Sequence, residues 1–404
     1  MKKICIHDFE RQYELYLRRF KQLKISKSNI ETVFRFKDAC LLNGISKARI
    51  VRYLRFFIFL FDFFKKDLDK ATKEDIEKVV AVINARESFS LMTKHDCKVI
   101  IKRFYKWLKG NDEVYPSEVS WIKSRIKRHE KKLVGDGELI TPDEVKRLLD
   151  ASDCPRDKAF VSLLYESGCR IGELGSMTIG SINFDKYGAV IAVSGKTGSR
   201  KIRIVTSTPY LRMWLNMHPF KDEKDKPLWI NLGVRNRYNA MAYDVFRMVL
   251  ARLFQKAGIN KRHNAHLFRH SRATYMANYL TEFQMNQYFG WIQGSDMPAT
   301  YVHLSGRETD KAILEMNGLK NKKEEKEEPN VKACPRCEAI NDFNDVSCGK
   351  CSFVLDEKEA IKIETKNREN ERMVEMAKEI LSGLAAQFPE AREIMVEKMR
   401  NFKC

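Results

Sequence analysis

The sequence predicts a mainly α-helical protein with one small antiparallel β-sheet, arranged as two domains with a cysteine module and a helical segment behind them. Three observations predict this. Apolar residues recur at spacings of three and four through most of the chain. One stretch, SINFDKYGAVIAVSGKTGSRKIRIVTS, alternates with period two instead. A chain of 404 residues also exceeds what one compact core organises.

Residues 1–133 read as helices throughout, in YELYLRRFKQL, ARIVRYLRFFIFLFDFF, EDIEKVVAVINA and CKVIIKRFYKWL. Thr72, three residues ahead of Asp75, is a helix-start signal. The apolar run FFIFLFDFF is too short to span a bilayer and is punctuated by Asp62, with Arg52 and Arg55 just ahead of it, so it predicts a buried helix. The last long helix carries Lys102, Arg103, Lys106 and Lys109, and WIKSRIKRHEKK is expected to add another basic helix before a glycine-containing linker.

Residues 134–319 form the second expected domain. Thr141, Pro142 and Glu144 make a capping box with proline at the first helical position. AFVSLLYESG predicts a buried helix, and the alternating stretch predicts a β-hairpin turning at KTGS, with room for a third strand before it. PYLRMWL, AYDVFRMVLARLFQKAG and HLFRHSRATYMANYL return to helical spacing. Residues 320–331 are a charged linker without the apolar content to pack. Residues 332–356 are the cysteine module, and 357–404 are a helical segment broken at Pro389. In that segment Met373, Met376, Ala377, Ile380, Leu384 and Phe388 recur at helical spacing, the pattern of a core or of a subunit contact.

The net charge of +20 is unevenly spread: +15 in residues 1–133, +6 in 134–319 and −1 in the remainder. A helical segment that basic points to a polyanion partner, since each neutralised phosphate releases counterions. No basic amphipathic helix with an exposed aromatic face stands out, so a membrane is not the expected partner. The opening MKKICIHDFE lacks an apolar h-region, so a cytoplasmic, nucleoid-associated protein is expected. Cys5, Cys40, Cys97, Cys154, Cys169 and Cys404 are scattered and read as reduced thiols. Cys334, Cys337, Cys348 and Cys351 differ: two C-x-x-C pairs around a short loop predict a tetrahedral thiolate site for one structural Zn²⁺, with a disulfide or iron–sulfur arrangement as the alternative. Such a module resembles a zinc ribbon. Lys332 and Arg336 beside it are candidate DNA contacts.

Three separated features of the second domain belong together. SGCRIGELGSMT sets Arg170 after the buried helix with Glu173 three residues on. SGKTGSRK places Lys196 at the hairpin tip. AHLFRHSRATY puts His266 and Arg269 on one helical face with His270 beside them, and GWIQGSDMPATYVHLSG follows with Trp291 and Tyr301. Singly, each has an ordinary reading as a salt bridge, a solvated lysine or a packed ring.

In this order they resemble the tyrosine recombinase, or phage integrase, family, over roughly residues 1–318. The resemblance implies an all-helical core-binding domain, a linker and an α+β catalytic domain. It implies Arg170 and Arg269 as the arginines, Lys196 as the hairpin lysine, His266 as the histidine of the H-x-x-R box and Tyr301 as the nucleophile. The family most often has a histidine where this chain has Trp291, whose indole N–H donates to a phosphate oxygen but shuttles no proton. Guanidiniums suit a phosphorane because they stay charged and bind two oxygens at once. A phenol of pKa about 10 forms a phosphotyrosine bond that conserves the energy of the broken linkage, so neither ATP nor a catalytic metal is expected. His266 is the candidate for taking the phenol proton and Lys196 for protonating the leaving 5′ oxygen. Glu173 is expected to support the site through hydrogen bonds, and His270 either to support it or simply to pack. Tyr301 follows GSDMPAT, whose glycine and proline suggest a mobile loop.

The expected function is therefore site-specific recombination of double-stranded DNA, with the two domains closing on the duplex, as dimers on each site and a tetramer in synapsis. A type IB topoisomerase-like activity and a non-catalytic zinc-containing DNA-binding regulator are the alternatives.

Overall fold

The computed structural model describes residues 4–126, 136–195, 197–234, 236–305, 313, 316–317, 331–342 and 345–387. The chain divides into two compact units, Cys5–Gly135 and Asp136–Cys404. Among the described residues no helix is long and apolar enough to cross a membrane. The mainly helical class with small antiparallel sheets is as expected.

The first unit is all helical: α1 (Phe9–Lys21), α2 (Lys27–Leu42), α3 (Lys47–Phe61), α4 (Lys73–Ala85), α5 (Leu91–Lys109) and the short α6 (Ser117–Ser120). Side-chain caps start several of them. Asp8 accepts from the Arg11 N–H, Ser26 from Asn29 and Ser90 from Thr93, while Thr72 and Asp75 complete a capping box. The apolar run lies in and just beyond α3, where Phe56, Phe57, Leu60 and Phe61 are buried. Phe57 packs edge to face on Phe104 of α5 at 4.8 Å, and Phe36 of α2 meets Phe104 at 5.2 Å.

The basic helix expected over WIKSRIKRHEKK does not form in its described part, which is irregular from Ile122 to Ile126. Side chains of α5 capture its backbone carbonyls instead. Lys102 Nζ donates to Ile122 O, and the His95 ring is 2.6 Å from Ser124 O. The remaining residues, 127–132, lie outside the described ones.

The second unit begins with α7 (Pro142–Asp150), capped by the expected Thr141–Glu144 box. Next come α8 (Pro155–Ser167), α9 (Ile171–Gly175), strands β1 (Ile182–Asp185), β2 (Gly188–Gly195) and β3 (Gly198–Ile204), then α10 (Thr208–Asn216), α11 (Tyr243–Lys256), α12 (Ala265–Met276), α13 (Glu282–Phe289) and α14 (Met297–Ser305). The three strands form an antiparallel meander in the order β1-β2-β3. Gly195 pairs with Gly198 at the end of the β2–β3 ladder. α8 is the central rod, with Phe160, Val161, Leu163 and Leu164 all buried.

Near the end of α8, Glu166 anchors the sheet. Its buried carboxylate accepts from the backbone N–H groups of Val205, Thr206 and Ser207 and from the Ser207 hydroxyl, joining the end of β3 and the start of α10 to α8. Charge-assisted bonds of this kind exceed neutral ones in strength. Glu166→Ala would leave three amides unpaired and is expected to lower stability by about 3 kcal/mol, against less than about 0.5 kcal/mol for Glu371→Ala on an exposed helix. Urea denaturation measures both, and equal shifts would refute the anchoring role.

Candidate active site and cysteine centre

The site is assembled from the ends of α8, α9 and β3 against α12, α13 and α14. α8 stops at Gly168, whose φ of +55° is left-handed and where a Cβ would stand 2.7 Å from the Phe289 ring. The chain then turns through buried Cys169 to Arg170, which precedes α9. Glu173 is 2 % exposed. Its carboxylate accepts from the Arg170 backbone N–H at 3.0 Å, from Arg170 Nη1 at 2.8 Å and from Arg200 Nη2 at 2.8 Å. Burial would raise the Glu173 carboxyl, but the hydrogen bonds and charges of Arg200 and Arg170 hold it below the ordinary glutamate range.

Arg200 was not among the expected site residues. The available signal was its place on β3, two residues before inward-facing Ile202 and four before Ile204, where alternation directs it to the buried face. It donates through Nε to Tyr288 O as well as to Glu173. The hairpin tip is tied to the same segment, because the Thr197 hydroxyl donates to Gly290 O at 2.9 Å. Gly195 abuts Glu173 so closely that a Cβ would meet its Oε1 at 2.4 Å. Lys196 itself lies outside the described residues.

Arg269, on α12, is 2 % exposed and donates to Gly168 O at 2.9 Å and Phe289 O at 2.7 Å. Its guanidinium lies over the rings of Phe289 and Trp291. Burial and the nearby Arg170 push it down to about 10, still charged at neutral pH. Arg170 and Arg200 bond the Glu173 carboxylate and Arg269 lies within reach of its charge, so the site carries an excess of positive charge suited to an anion.

Tyr301 is not in a loop. It sits in α14, which begins at Met297 just after the GSD turn, and is 3 % exposed. Helix α14 packs on α12 and α13, and Phe289, Trp291 and Tyr301 form a stack. Phe289 and Trp291 are 4.8 Å apart, and Trp291 and Tyr301 are 5.4 Å apart with planes only 4° from parallel. The Tyr301 hydroxyl is 2.7 Å from His270 Nδ1. Exposed His266 meets the His270 ring edge to face at 4.6 Å. Partial burial lowers His266, with Arg269 and Arg170 adding to it. Burial, then His266 and Arg269, push His270 down to about 4. Burial raises the Tyr301 phenol, opposed by Arg269. Thus the structure joins Arg170, Glu173, His266, Arg269, His270, Trp291 and Tyr301, and brings His270 rather than His266 to the phenol.

The second unit, which holds this geometry, is similar to known proteins. Residues 138–308 match the model of the Phage integrase family. These residues are a phage integrase domain. The chain is 30% identical over 137 residues to tyrosine recombinase XerA of Pyrococcus horikoshii, covering 34% of this chain and 46% of that protein. It is 27% identical over 184 residues to tyrosine recombinase XerA of Pyrococcus furiosus, covering 45% and 63%. The chain therefore spans less than two thirds of the length of these two relatives. Among solved structures, the XerH site-specific recombinase bound to palindromic difH substrate shares the fold with a TM-score of 0.54 at 15% identity, over 78% of this chain and 98% of that one. A lambda integrase dimer bound to a COC′ core site shares it with a TM-score of 0.53 at 14% identity, over 69% and 78%.

Behind the phage integrase domain, β4 (Val331–Ala333) and β5 (Ile340–Asp342) pair antiparallel and carry the cysteine centre. The four Sγ atoms of Cys334, Cys337, Cys348 and Cys351 lie within 4.8 Å of one another. Cys334 faces Cys351 and Cys337 faces Cys348, each at 3.6 Å. That is far beyond a disulfide, whose sulfurs are about 2.05 Å apart, and close to the edge of about 3.8 Å expected in a tetrahedral thiolate site with 2.3 Å bonds. The module is not detached. The Tyr210 hydroxyl on α10 donates to Asp342 at 2.9 Å, and Asn216 donates to Gly349 O. Arg212 of α10, stacked on Phe184, feels the Cys337 and Cys348 sulfurs. Beyond it, α15 (Glu357–Gln387) exposes Met373, Met376, Ala377 and Ile380. The side chain of Leu384, and Phe388, lie outside the described residues.

The four lysines and arginines singled out on α5 are engaged within their own unit. Lys102 and Lys106 flank the Tyr115 ring, Arg103 pairs with Asp112, and Lys109 binds Glu118 and Ala71 O.

The His270 shift has a consequence for stability. Its folded pKa lies below the ordinary 6.5, so the unfolded chain binds more protons between about 4 and 6.5. Its contribution is complete above pH 6.5 and is lost as pH falls toward 4. Equilibrium denaturation across this range is expected to show a flatter profile for His270→Gln than for the parent; identical slopes would count against the assignment.

Proposed function

We propose that this protein is a site-specific DNA recombinase that cuts and rejoins one strand at a time through a 3′-phosphotyrosine link at Tyr301. The observation that carries this reading is the Tyr301 phenol, held on His270 beside Arg269 in a phage integrase domain with an excess of guanidinium charge. Arg170 and Arg269 would bind the non-bridging oxygens of the scissile phosphate, worth on the order of 3–4 kcal/mol each in the transition state. Glu173 and Arg200 hold Arg170 in place. His266, exposed between the two arginines and His270, is placed to face the phosphate, and the Trp291 indole N–H is a further donor. Lys196, on the turn next to Thr197, would protonate the leaving 5′ oxygen. Because the phosphotyrosine conserves the bond energy, the cycle runs without ATP or a catalytic metal.

The basic first unit would supply sequence-independent phosphate contacts, with Lys102, Arg103, Lys106 and Lys109 as candidates whose internal partners reduce their reach. Residues 1–133 and 134–319 are then the DNA-gripping and catalytic domains, working on double-stranded sites as dimers that pair into tetramers. The decisive measurement is covalent trapping on nicked duplexes without ATP or Mg²⁺, resolved on a denaturing gel. A protein–DNA band is expected from the parent and none from Tyr301→Phe. Bands of equal strength would move the nucleophile to another tyrosine, and tight binding without any band would favour a DNA-binding regulator.

The four cysteines would hold one Zn²⁺, which neutralises part of the thiolate charge and stabilises a module with little core. Chelation is expected to expose four additional reactive thiols and to release the Tyr210–Asp342 contact, read by thiol titration and tyrosine fluorescence. A purified protein containing no metal, or one whose thiols react equally before and after chelation, would refute the site.

A further inference from the structure

The catalytic histidine suggested by the H-x-x-R spacing is His266, yet the phenol is bound elsewhere. Tyr301 Oη stands 2.7 Å from His270 Nδ1, within the range of a strong O–H···N hydrogen bond. His270 follows Arg269 on α12, which anchors it from below through two backbone carbonyls, Gly168 and Phe289. The Tyr301 ring is fixed from the other side by parallel stacking on Trp291. Both partners of the hydrogen bond are therefore positioned by independent packing, the arrangement that makes a proton transfer fast.

We propose that His270 is the base of the strand-cleavage step, taking the Tyr301 proton as the phenol attacks phosphorus, and that His266 serves the phosphate instead. This rests on the recombinase reading above. In the step, the Tyr301 Oη–P bond forms and the P–O5′ bond breaks. The phenol proton moves to His270 Nδ1, and the departing 5′ oxygen takes a proton from the general acid assigned to Lys196. Religation reverses both transfers, with the imidazolium returning its proton to the phenol.

The surroundings agree. The groups facing His270 are His266 and Arg269 on its own helix and Tyr301 on α14, with Arg170 facing His266 from the start of α9. Burial, then His266 and Arg269, keep the imidazole neutral, so its lone pair is free to accept a proton. Burial keeps the phenol protonated, so the nucleophile needs a base. An arriving phosphate dianion-like transition state would offset Arg170 and Arg269, which strengthens His270 as a base only when substrate is in place.

The test uses the full chain and a duplex selected by the protein from a random-sequence library. Single-turnover formation of the covalent complex is expected to fall by about 10²-fold or more in His270→Gln. Replacing Tyr301 by a fluorinated tyrosine of lower phenol pKa should recover much of that loss, because a more acidic phenol needs less help. A 5′-bridging phosphorothiolate, which removes the demand for a general acid, should recover none of it. His270→Gln cleaving as fast as the parent, or faster, overturns the proposal, as does a fluorotyrosine that restores nothing. A parent chain that forms no covalent complex brings down the recombinase reading itself. Independently of folding in the variant, ¹⁹F NMR of 3-fluorotyrosine at position 301 should show its resonance moving as His270 titrates; a flat response also overturns the assignment.

Discussion

The buried carboxylate of Glu173 is the interaction on which the site depends. It receives the Arg170 backbone and guanidinium together with Arg200, and so links the start of α9 to β3. A carboxylate 2 % exposed is tolerated only because three donors converge on it. The same bonds orient Arg170, whose side chain keeps about a third of its surface open. Remove the carboxylate and three guanidiniums would repel one another across a small volume.

Around this pivot the scaffold divides its work between polar and aromatic contacts. Arg269 closes the turn after α8 and the end of α13 through two carbonyls, which is a structural task as much as a chemical one. Its charge lies against the Phe289–Trp291–Tyr301 stack, so cation–π attraction and ring packing hold the same residues that would meet the phosphate. Trp291, in the position where the family most often has histidine, gains a second role as the platform on which Tyr301 rests.

The cysteine module belongs to this same unit. A tetrathiolate centre carries net negative charge even with a divalent ion bound, and Arg212 from α10 stands close enough to feel it. The Tyr210–Asp342 hydrogen bond adds a directional contact. α10 in turn starts at Ser207, on the Glu166 anchor. A continuous set of contacts thus runs from the four clustered cysteines to the rod that carries the active-site turn.

Much of this was legible in the sequence. The helical period, the Thr72 and Thr141 caps, the period-two hairpin and the paired C-x-x-C knuckles are local signals, and each depends on residues within a few positions of one another. The grouping of His266, Arg269 and Tyr301 came instead from the order of motifs that resemble the tyrosine recombinase family. What local signals cannot carry is the partner across the gap. Glu173 and Arg200 are 27 residues apart and Tyr301 and His270 are 31 apart, and periodicity says only which face is buried, not what it meets. GSDMPAT read as a mobile loop because glycine and proline break regular structure, yet proline is well tolerated in the first turn of a helix, and packing on α12 and α13 made Tyr301 part of α14. The residue types and their order were determined by the sequence alone; which histidine holds the phenol, which arginine shares the carboxylate and where the cysteine module docks were decided by tertiary packing, because those choices depend on distances between segments that folding alone brings together.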